Sequence, residues 1–320
     1  MGRVVVVVFA LVLAGCGVQP AAVSDEFPTP LPGVAATPLP PQSLRHDPQL
    51  EKQIADIAVQ TNGRVGVAAT LLETGDTAEL NGDAQFAMQS VYKLPIAMAV
   101  LYADSHGTPL LSKRIAVTPK DFVRAGVRSP IRNIFPQGGE FSVRELLAQS
   151  ISESDGTASD VLLGLAGGPS GVMEYLHRIG IGDMTVADSE KDIFKDWETQ
   201  YRNSATPRAT VDLLRALQFG AGIAPATRQE LMYLMTSSAP GRRRLKKLLP
   251  DDVAVAHKTG TGGAKDGISS ATNDVGIITL PNSRHILIAV YVVDSTAPAW
   301  IREKTIAEIA KAVFDRWSTS

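Results

Sequence analysis

A single cysteine, Cys16, stands in a chain of 320 residues, so no disulfide can close within it. Histidine is almost as scarce. The five present form no H-x-H or H-E-x-x-H pattern, which leaves no zinc-ligand spacing and no metal to expect. No G-x-G-x-x-G follows a strand-like run and no phosphate-binding P-loop occurs, so no cofactor is expected either. An excess of charge of one sign is missing too: a net charge of −2 gives no reason to expect a nucleic-acid partner. The apolar run from Val4 to Leu13 is too short to cross a bilayer, and there is no internal repeat. What remains is 44% apolar, enough over the ~270 residues beyond the N-terminal region to bury a full core.

Three short strings are present in a fixed order: Ser90-Val91-Tyr92-Lys93, Ser154-Asp155-Gly156 and Lys258-Thr259-Gly260. Serine is a poor nucleophile at its ordinary pKa and needs a base beside it. Residues three apart share a helix face, so S-x-x-K at a helix start puts Lys93 next to Ser90. The run from Leu94 to Leu101 reads as a buried helix. A lysine at its head is partly desolvated, and a second cation nearby disfavours its charge further. Phe141 to Leu147 opens with a capping box, Ser142 as N-cap and Glu145 three residues on. That helix runs to about Ile151 and leaves Ser154 in the turn after it, where a hydroxyl can relay a proton to a leaving nitrogen. Val253 to Gly263 reads as a strand ending in a glycine-rich turn. Lys258 and Thr259 there suit a substrate carboxylate, and the N–H groups of Ser90 and Thr261 suit an oxyanion hole. Each string alone has an ordinary explanation: a chance S-x-x-K on a helix, a common turn, a strand end before a hairpin. All three in this order describe serine acyl transfer on β-lactams.

From about Leu50 to Trp317 the chain resembles a class A serine β-lactamase, with most likeness to the extended-spectrum branch. Met88 to Leu94, Asp196 to Asn203 before Thr206-Pro207, Arg244 to Pro250, Ala256 to Thr261 and Ala271 to Gly276 carry the resemblance. It implies an α+β fold: an antiparallel five-stranded sheet flanked by terminal helices, an all-helical subdomain, and the active site in the cleft between them. It also implies a glutamate that activates water against the acyl-enzyme, on a loop between the second and third strings. Glu190 and Glu198 compete for that role. Spacing selects Glu190, 34 residues after Gly156 and 68 before Lys258, which is similar to the family without gaps. The implied catalytic set is Ser90, Lys93, Ser154 and Glu190, with Lys93 or Glu190 as acylation base. Lys258, Thr259, Thr261 and Arg244 form the implied substrate-binding set. Arg242 and Arg243 read as solvated neighbours of Arg244.

Three positions depart from the family pattern. Gly156 replaces an asparagine, losing an amide contact to substrate and gaining room. Phe194 replaces a polar residue that helps hold the hydrolytic water. Arg128 stands near a position that is often aromatic. The runner-up function is a penicillin-interactive peptidase acting on cell-wall peptides, which would share the strings but stay acylated. A non-catalytic lipoprotein is opposed by intact Ser90, Lys93 and Lys258.

The N-terminus sets the expected compartment. Met1-Gly2-Arg3 followed by Val4 to Leu13 has the form of a signal peptide. It ends Leu13-Ala14-Gly15-Cys16, which resembles a bacterial lipobox. Residues 1–16 are therefore expected to be a lipoprotein signal ending at a lipidated Cys16. Residues 17–46, with Pro28, Pro30, Pro32, Pro38, Pro40 and Pro41, read as an extended linker. Residues 47–320 form the catalytic domain. The expectation is an exported monomer, lipid-anchored to a bacterial membrane, with its domain in the periplasm or cell-envelope space. The coarse element order is a helix over 48–61, strands over 64–72 and 77–81, a helical middle over 90–236, strands over 253–261, 271–280 and 285–293, and a last helix over 298–316.

Overall fold

Residues 42–319 are described by a computed structural model. The expected signal segment, Cys16 and most of the expected linker lie outside these residues. The chain enters through a two-residue strand β1 (Arg45–His46), helix α1 (Pro48–Ala58), and strands β2 (Arg64–Leu71), β3 (Asp76–Leu80) and β4 (Phe86–Ala87). The middle holds α2 (Lys93–Ser105), β5 (Arg114–Val117), α3 (Pro130–Ile134), β6 (Gly139–Ser142), α4 (Val143–Ser152), α5 (Gly156–Leu165), α6 (Gly168–Arg178), β7 (Met184–Thr185), β8 (Ser204–Ala205), α7 (Pro207–Phe219) and α8 (Pro225–Thr236). Strands β9 (Val255–Thr261), β10 (Ala264–Lys265), β11 (Ile268–Thr279) and β12 (His285–Ser295) then lead into the last helix, α9 (Ala299–Ser318).

Local signals account for the helix starts. Asp47 caps α1 by accepting from the Leu50 N–H at 3.1 Å, with Pro48 in the first turn. The capping box of α4 is complete: Ser142 Oγ accepts from Glu145 N, and Glu145 Oε2 accepts from Ser142 N. The long strands β3, β2, β12, β11 and β9 form the expected antiparallel five, with β9 as the outer partner of β11. Two-residue strands extend the sheet. One of them, β1, pairs parallel to β3, so residues 42–46 join the domain and do not continue the linker. The Arg45 N–H bonds Gly75 O and the Gln42 amide bonds Leu72 O.

Strand β12 shows why the fold has two cores. Its side chains alternate sides. Leu287, Ala289, Tyr291 and Val293 face the large helical layer, while Ile286, Ile288, Val290 and Val292 face α1 and α9. Both faces are covered, so the strand is apolar throughout. Helix α2 is buried from Lys93 to Leu101 and forms the centre of the helical layer, as its unbroken apolar run predicts. The helical part is not all helix, which corrects that detail of the expectation. β5 pairs β6, and β4, β8 and β7 form a small sheet. These strands are two to four residues long, too short to leave a period-2 signal.

Candidate active site

The three strings meet in one cleft of about 290 Å³ between the helical layer and β9. Ser90 lines it from a tight helical turn, Gln89–Tyr92, that leads directly into α2. Gln89 holds a left-handed φ of 48° and Ser154 one of 57°. Non-glycine residues in that region are uncommon and concentrate at working sites. Here they are Gln89, next to the nucleophile candidate, and Ser154 itself.

The nucleophile turn is stitched to the sheet. Asn273 Nδ2 on β11 donates to Ala87 O at 2.8 Å and Met88 O at 3.1 Å. Between them Gly260 must have no side chain, since a Cβ would stand 2.3 Å from Met88 O. Gly262 N donates to Ala271 O at 3.0 Å. Alternation along the ladder then points the Thr261 N–H off the sheet edge, toward the cleft.

Lys93 and Lys258 are both buried. Lys93 Nζ donates to Ser154 O at 2.8 Å and pairs with Glu190 Oε1 at 2.9 Å. Lys258 Nζ donates to Ser154 Oγ at 2.9 Å. Burial first, then the Lys93 charge, pushes the Lys258 ammonium well below its ordinary value. The arrangement is a serine next to one lysine, a second hydroxyl held by another, and a carboxylate joined to the first lysine. Proton exchange is direct between Lys93 and Glu190 and between Lys258 and the Ser154 hydroxyl, while the Lys93–Ser154 contact, made to the backbone carbonyl, only positions the two.

Glu190 is 5% exposed and lines the cleft, whereas Glu198 is exposed on a separate turn. The geometry brings Glu190, and not Glu198, to Lys93. Its loop is irregular from Val186 to Trp197 and is pinned by side chains. Asp160 Oδ1 accepts from Glu190 N at 2.6 Å, and Oδ2 from Lys191 N at 3.1 Å. Asn203 Oδ1 accepts from Ala187 N and Asp188 N, while its Nδ2 donates to Asp188 O. Burial, opposed by the two N–H donors, pushes the Asp160 carboxyl up to about 7.

Arg244 is 6% exposed, unlike Arg242 and Arg243. It donates to Gly260 O at 3.0 Å, Asn273 O at 2.8 Å and Thr261 Oγ1 at 2.8 Å. Asp274 fixes its loop by holding both Leu245 N and His257 Nδ1. A buried cation therefore lies directly behind Thr261. Of the four substrate-binding candidates, Thr259 and Thr261 line the cleft with Ser90, while Lys258 and Arg244 lie buried behind that wall.

The departures also acquire positions. Gly156 starts α5, and a Cβ there would meet Arg128 O, Glu190 Cγ and Val123 Cγ1, each at 3.3 Å. The room expected at Gly156 is thus already filled to contact distance by its neighbours. Phe194 lines the cleft with the Arg124 guanidinium 5.6 Å from its ring centre. Arg128 lines the mouth and pairs with Glu153 at 2.9 Å. Reading the sequence alone missed Asp160, Asn203, Asn273 and Gln200, whose amide oxygen accepts from Gly263 N and Ser270 Oγ. Gln200 and Asn203 fall within Asp196 to Asn203, and Asn273 within Ala271 to Gly276, segments that carried the resemblance without assigning these residues a role. Among the described residues no group of three or more His, Cys, Asp or Glu could hold a metal, and no helix is long and apolar enough to cross a membrane.

Comparison with known proteins places this cleft among relatives. The profile of the beta-lactamase enzyme family matches residues 49–317. Beta-lactamase VEB-1 of Pseudomonas aeruginosa is 38% identical over 268 residues, 83% of this chain and 89% of that one. Extended-spectrum beta-lactamase PER-1 of the same organism is 35% identical over 275 residues, covering 85% and 89%. A crystal structure of a beta-lactamase from Chitinophaga pinensis superposes with a TM-score of 0.82 at 39% identity, over 84% of this chain and 99% of that one.

Proposed function

The chain belongs to the beta-lactamase enzyme family, and on that premise we propose how its residues divide the work of opening a β-lactam. It is a class A serine β-lactamase that hydrolyses β-lactam antibiotics and confers resistance to them. Ser90 Oγ attacks the lactam carbonyl, and its proton passes to Lys93, or to Glu190 through water. The carbonyl oxygen takes up negative charge between the N–H groups of Ser90 and Thr261. As the ring C–N bond breaks, Ser154 protonates the nitrogen, and Lys258 tunes that hydroxyl. Water then attacks the ester. Glu190 takes the water's proton, the C–O bond to Ser90 breaks, and the serine oxygen recovers a proton. Lys258, Thr259, Thr261 and Arg244 bind the substrate carboxylate.

The observation that carries this reading is the chain of contacts from Lys258 to Ser154 to Lys93 to Glu190, all at 2.8–2.9 Å, in the cleft that Ser90 lines. Every member comes from one chain, which supports action as a monomer. The Met1 to Cys16 segment supports export and lipid anchoring at Cys16, with the enzyme in the periplasm or cell-envelope space. The test is turnover of a chromogenic cephalosporin by the purified domain. Multiple turnovers are expected, and one stoichiometric burst followed by silence would favour the penicillin-interactive peptidase. For the anchor, Cys16→Ala should move the protein to the soluble fraction. Retention on membranes would sink the lipid assignment.

A further inference from the structure

Behind the wall that carries Thr259 and Thr261 lies a polar pair that the reaction above leaves idle. His257 on β9 and Asp274 on β11 are each 0% exposed. His257 Nδ1 lies 2.9 Å from Asp274 Oδ1 and 3.0 Å from Oδ2, and two carboxylate oxygens facing one ring nitrogen assign the ring proton to it. His257 Nε2 finds no hydrogen-bond partner among the described residues. A carboxylate so deep in a sheet is costly unless its bonds are taken up. The register shows what lies over the pair. Thr261 stands opposite Thr272, Thr259 opposite Asp274 and His257 opposite Gly276, so alternation puts all six on one face of the sheet. The loop that carries Arg244 crosses that face: a Cβ on Gly241 would stand 2.4 Å from Thr259 Cγ2 and 3.0 Å from His257 Cε1. The loop consists of turns, and Leu245 N bonds across to Asp274 Oδ2 at 3.2 Å. Asp274 thus ties this backbone to the sheet one residue after Arg244. An arginine can only donate, so the Thr261 hydroxyl accepts from Arg244 at 2.8 Å and its own proton is left for the cleft.

We propose that Asp274 is a positioning residue for recognition of the substrate carboxylate: by holding Leu245 N and the His257 ring, it fixes Arg244 against Thr261 and so aims the Thr261 O–H into the cleft. The inference rests on the reading that Arg244 and Thr261 serve the substrate carboxylate. Arg244 is buried behind the wall while Thr261 lines the cleft, so the cation reaches the substrate through that hydroxyl. Asp274 acts one step further back. An ionised acceptor holds an N–H roughly twice as strongly as a neutral one, which suits a loop of turns that has to keep a guanidinium at a fixed distance from one oxygen.

The experiment measures kcat/KM of the full chain for benzylpenicillin and for its methyl ester, which lacks the carboxylate. The ratio of the two is the readout, and a partly unfolded sample, which lowers both alike, does not move it. Asp274→Ala should lower the ratio by about tenfold, and Arg244→Ala by at least as much. The double variant should lower it no further than Arg244→Ala, because both residues act through one path. A wild-type ratio in Asp274→Ala, or full additivity in the double variant, would overturn the proposal. Should Asp274→Ala fail to fold, Asp274→Asn decides. It keeps the shape and offers a neutral oxygen: a ratio lowered by about two- to threefold supports the proposal, and a wild-type ratio overturns it. If Arg244→Ala leaves the ratio unchanged, the carboxylate reading falls and takes the inference with it. If Arg244→Ala lowers it and Asp274→Ala does not, only this inference falls.

Discussion

On one side of the cleft, Lys93 and Lys258 stand on α2 and β9, and Ser90 and Ser154 on tight turns joined to helices. On the other side, Glu190 stands on irregular backbone that runs from Val186 to Trp197. The first side is held by helix and strand hydrogen bonds and by the Asn273 stitch from the sheet. The second borrows its shape from two buried side chains, Asp160 and Asn203, which replace the missing ladder of backbone bonds. Backbone polar groups must be satisfied in either case. A regular element satisfies them locally, so it tolerates change at its side chains. A pinned loop depends on single residues, and a change at any one of them moves the group it carries. On the proposed roles, the attack on the lactam is built on the tolerant side and the release of product on the vulnerable one.

The sharpest break of this contrast is Ser90→Ala. Covalent labelling by penicillin should vanish, because the other serine of the cleft, Ser154, has its hydroxyl held by Lys258 and labelling depends on the rigid side alone. An adduct in that variant, seen by mass spectrometry, would refute the nucleophile assignment. Glu190→Ala tests the opposite side. Labelling should persist and release should slow by ~10²–10⁴, the usual worth of a general base. Glu198→Ala, exposed on its own turn, should turn over normally. The reverse result would put the base at Glu198.

Asn203→Ala removes a pin without touching the reacting groups. It strands the Ala187 and Asp188 N–H groups, at about 1–3 kcal/mol for each buried donor left unpaired. Denaturant unfolding should show that loss, with slower release and unaltered acylation. Equal damage to acylation would mean the two sides are one mechanical unit. The smallest effect concerns pH. The Asp160 carboxyl lies at about 7 in the folded chain against an ordinary 3.8. Its folded value is raised, so the stability it contributes is complete below about pH 4 and is lost as pH rises through 7. Melting curves of wild type and Asp160→Asn should therefore differ by an amount that changes between pH 4 and 8, the wild type losing ground at the higher end. A constant difference would show that Asp160 does not titrate in that window.

Legibility followed the same divide. The capping box at Ser142 and Glu145, the S-x-x-K helix start and the K-T-G strand were readable because each is specified by residues no more than three apart. The roles of Asp160 and Asn273 were not. Asp160 reaches Glu190 across 30 positions and Asn273 reaches Ala87 across 186, and an Asp or Asn in isolation says nothing about which backbone it will hold. The short strands β4 to β8 escaped for a related reason, since two to four residues cannot display a period.

By itself the sequence determined the reaction class, the order of the elements and the candidate nucleophile. These depend on local patterns that chemistry requires at short range. Only the tertiary structure brings Glu190, which spacing had already favoured over Glu198, within 2.9 Å of Lys93, and fixes the buried place of Arg244 behind Thr261. It also decided that the space beside Gly156 is already occupied. Those outcomes come from packing segments that are distant in the chain. There a few ångströms of approach and the loss of water decide which of several equivalent residues is used.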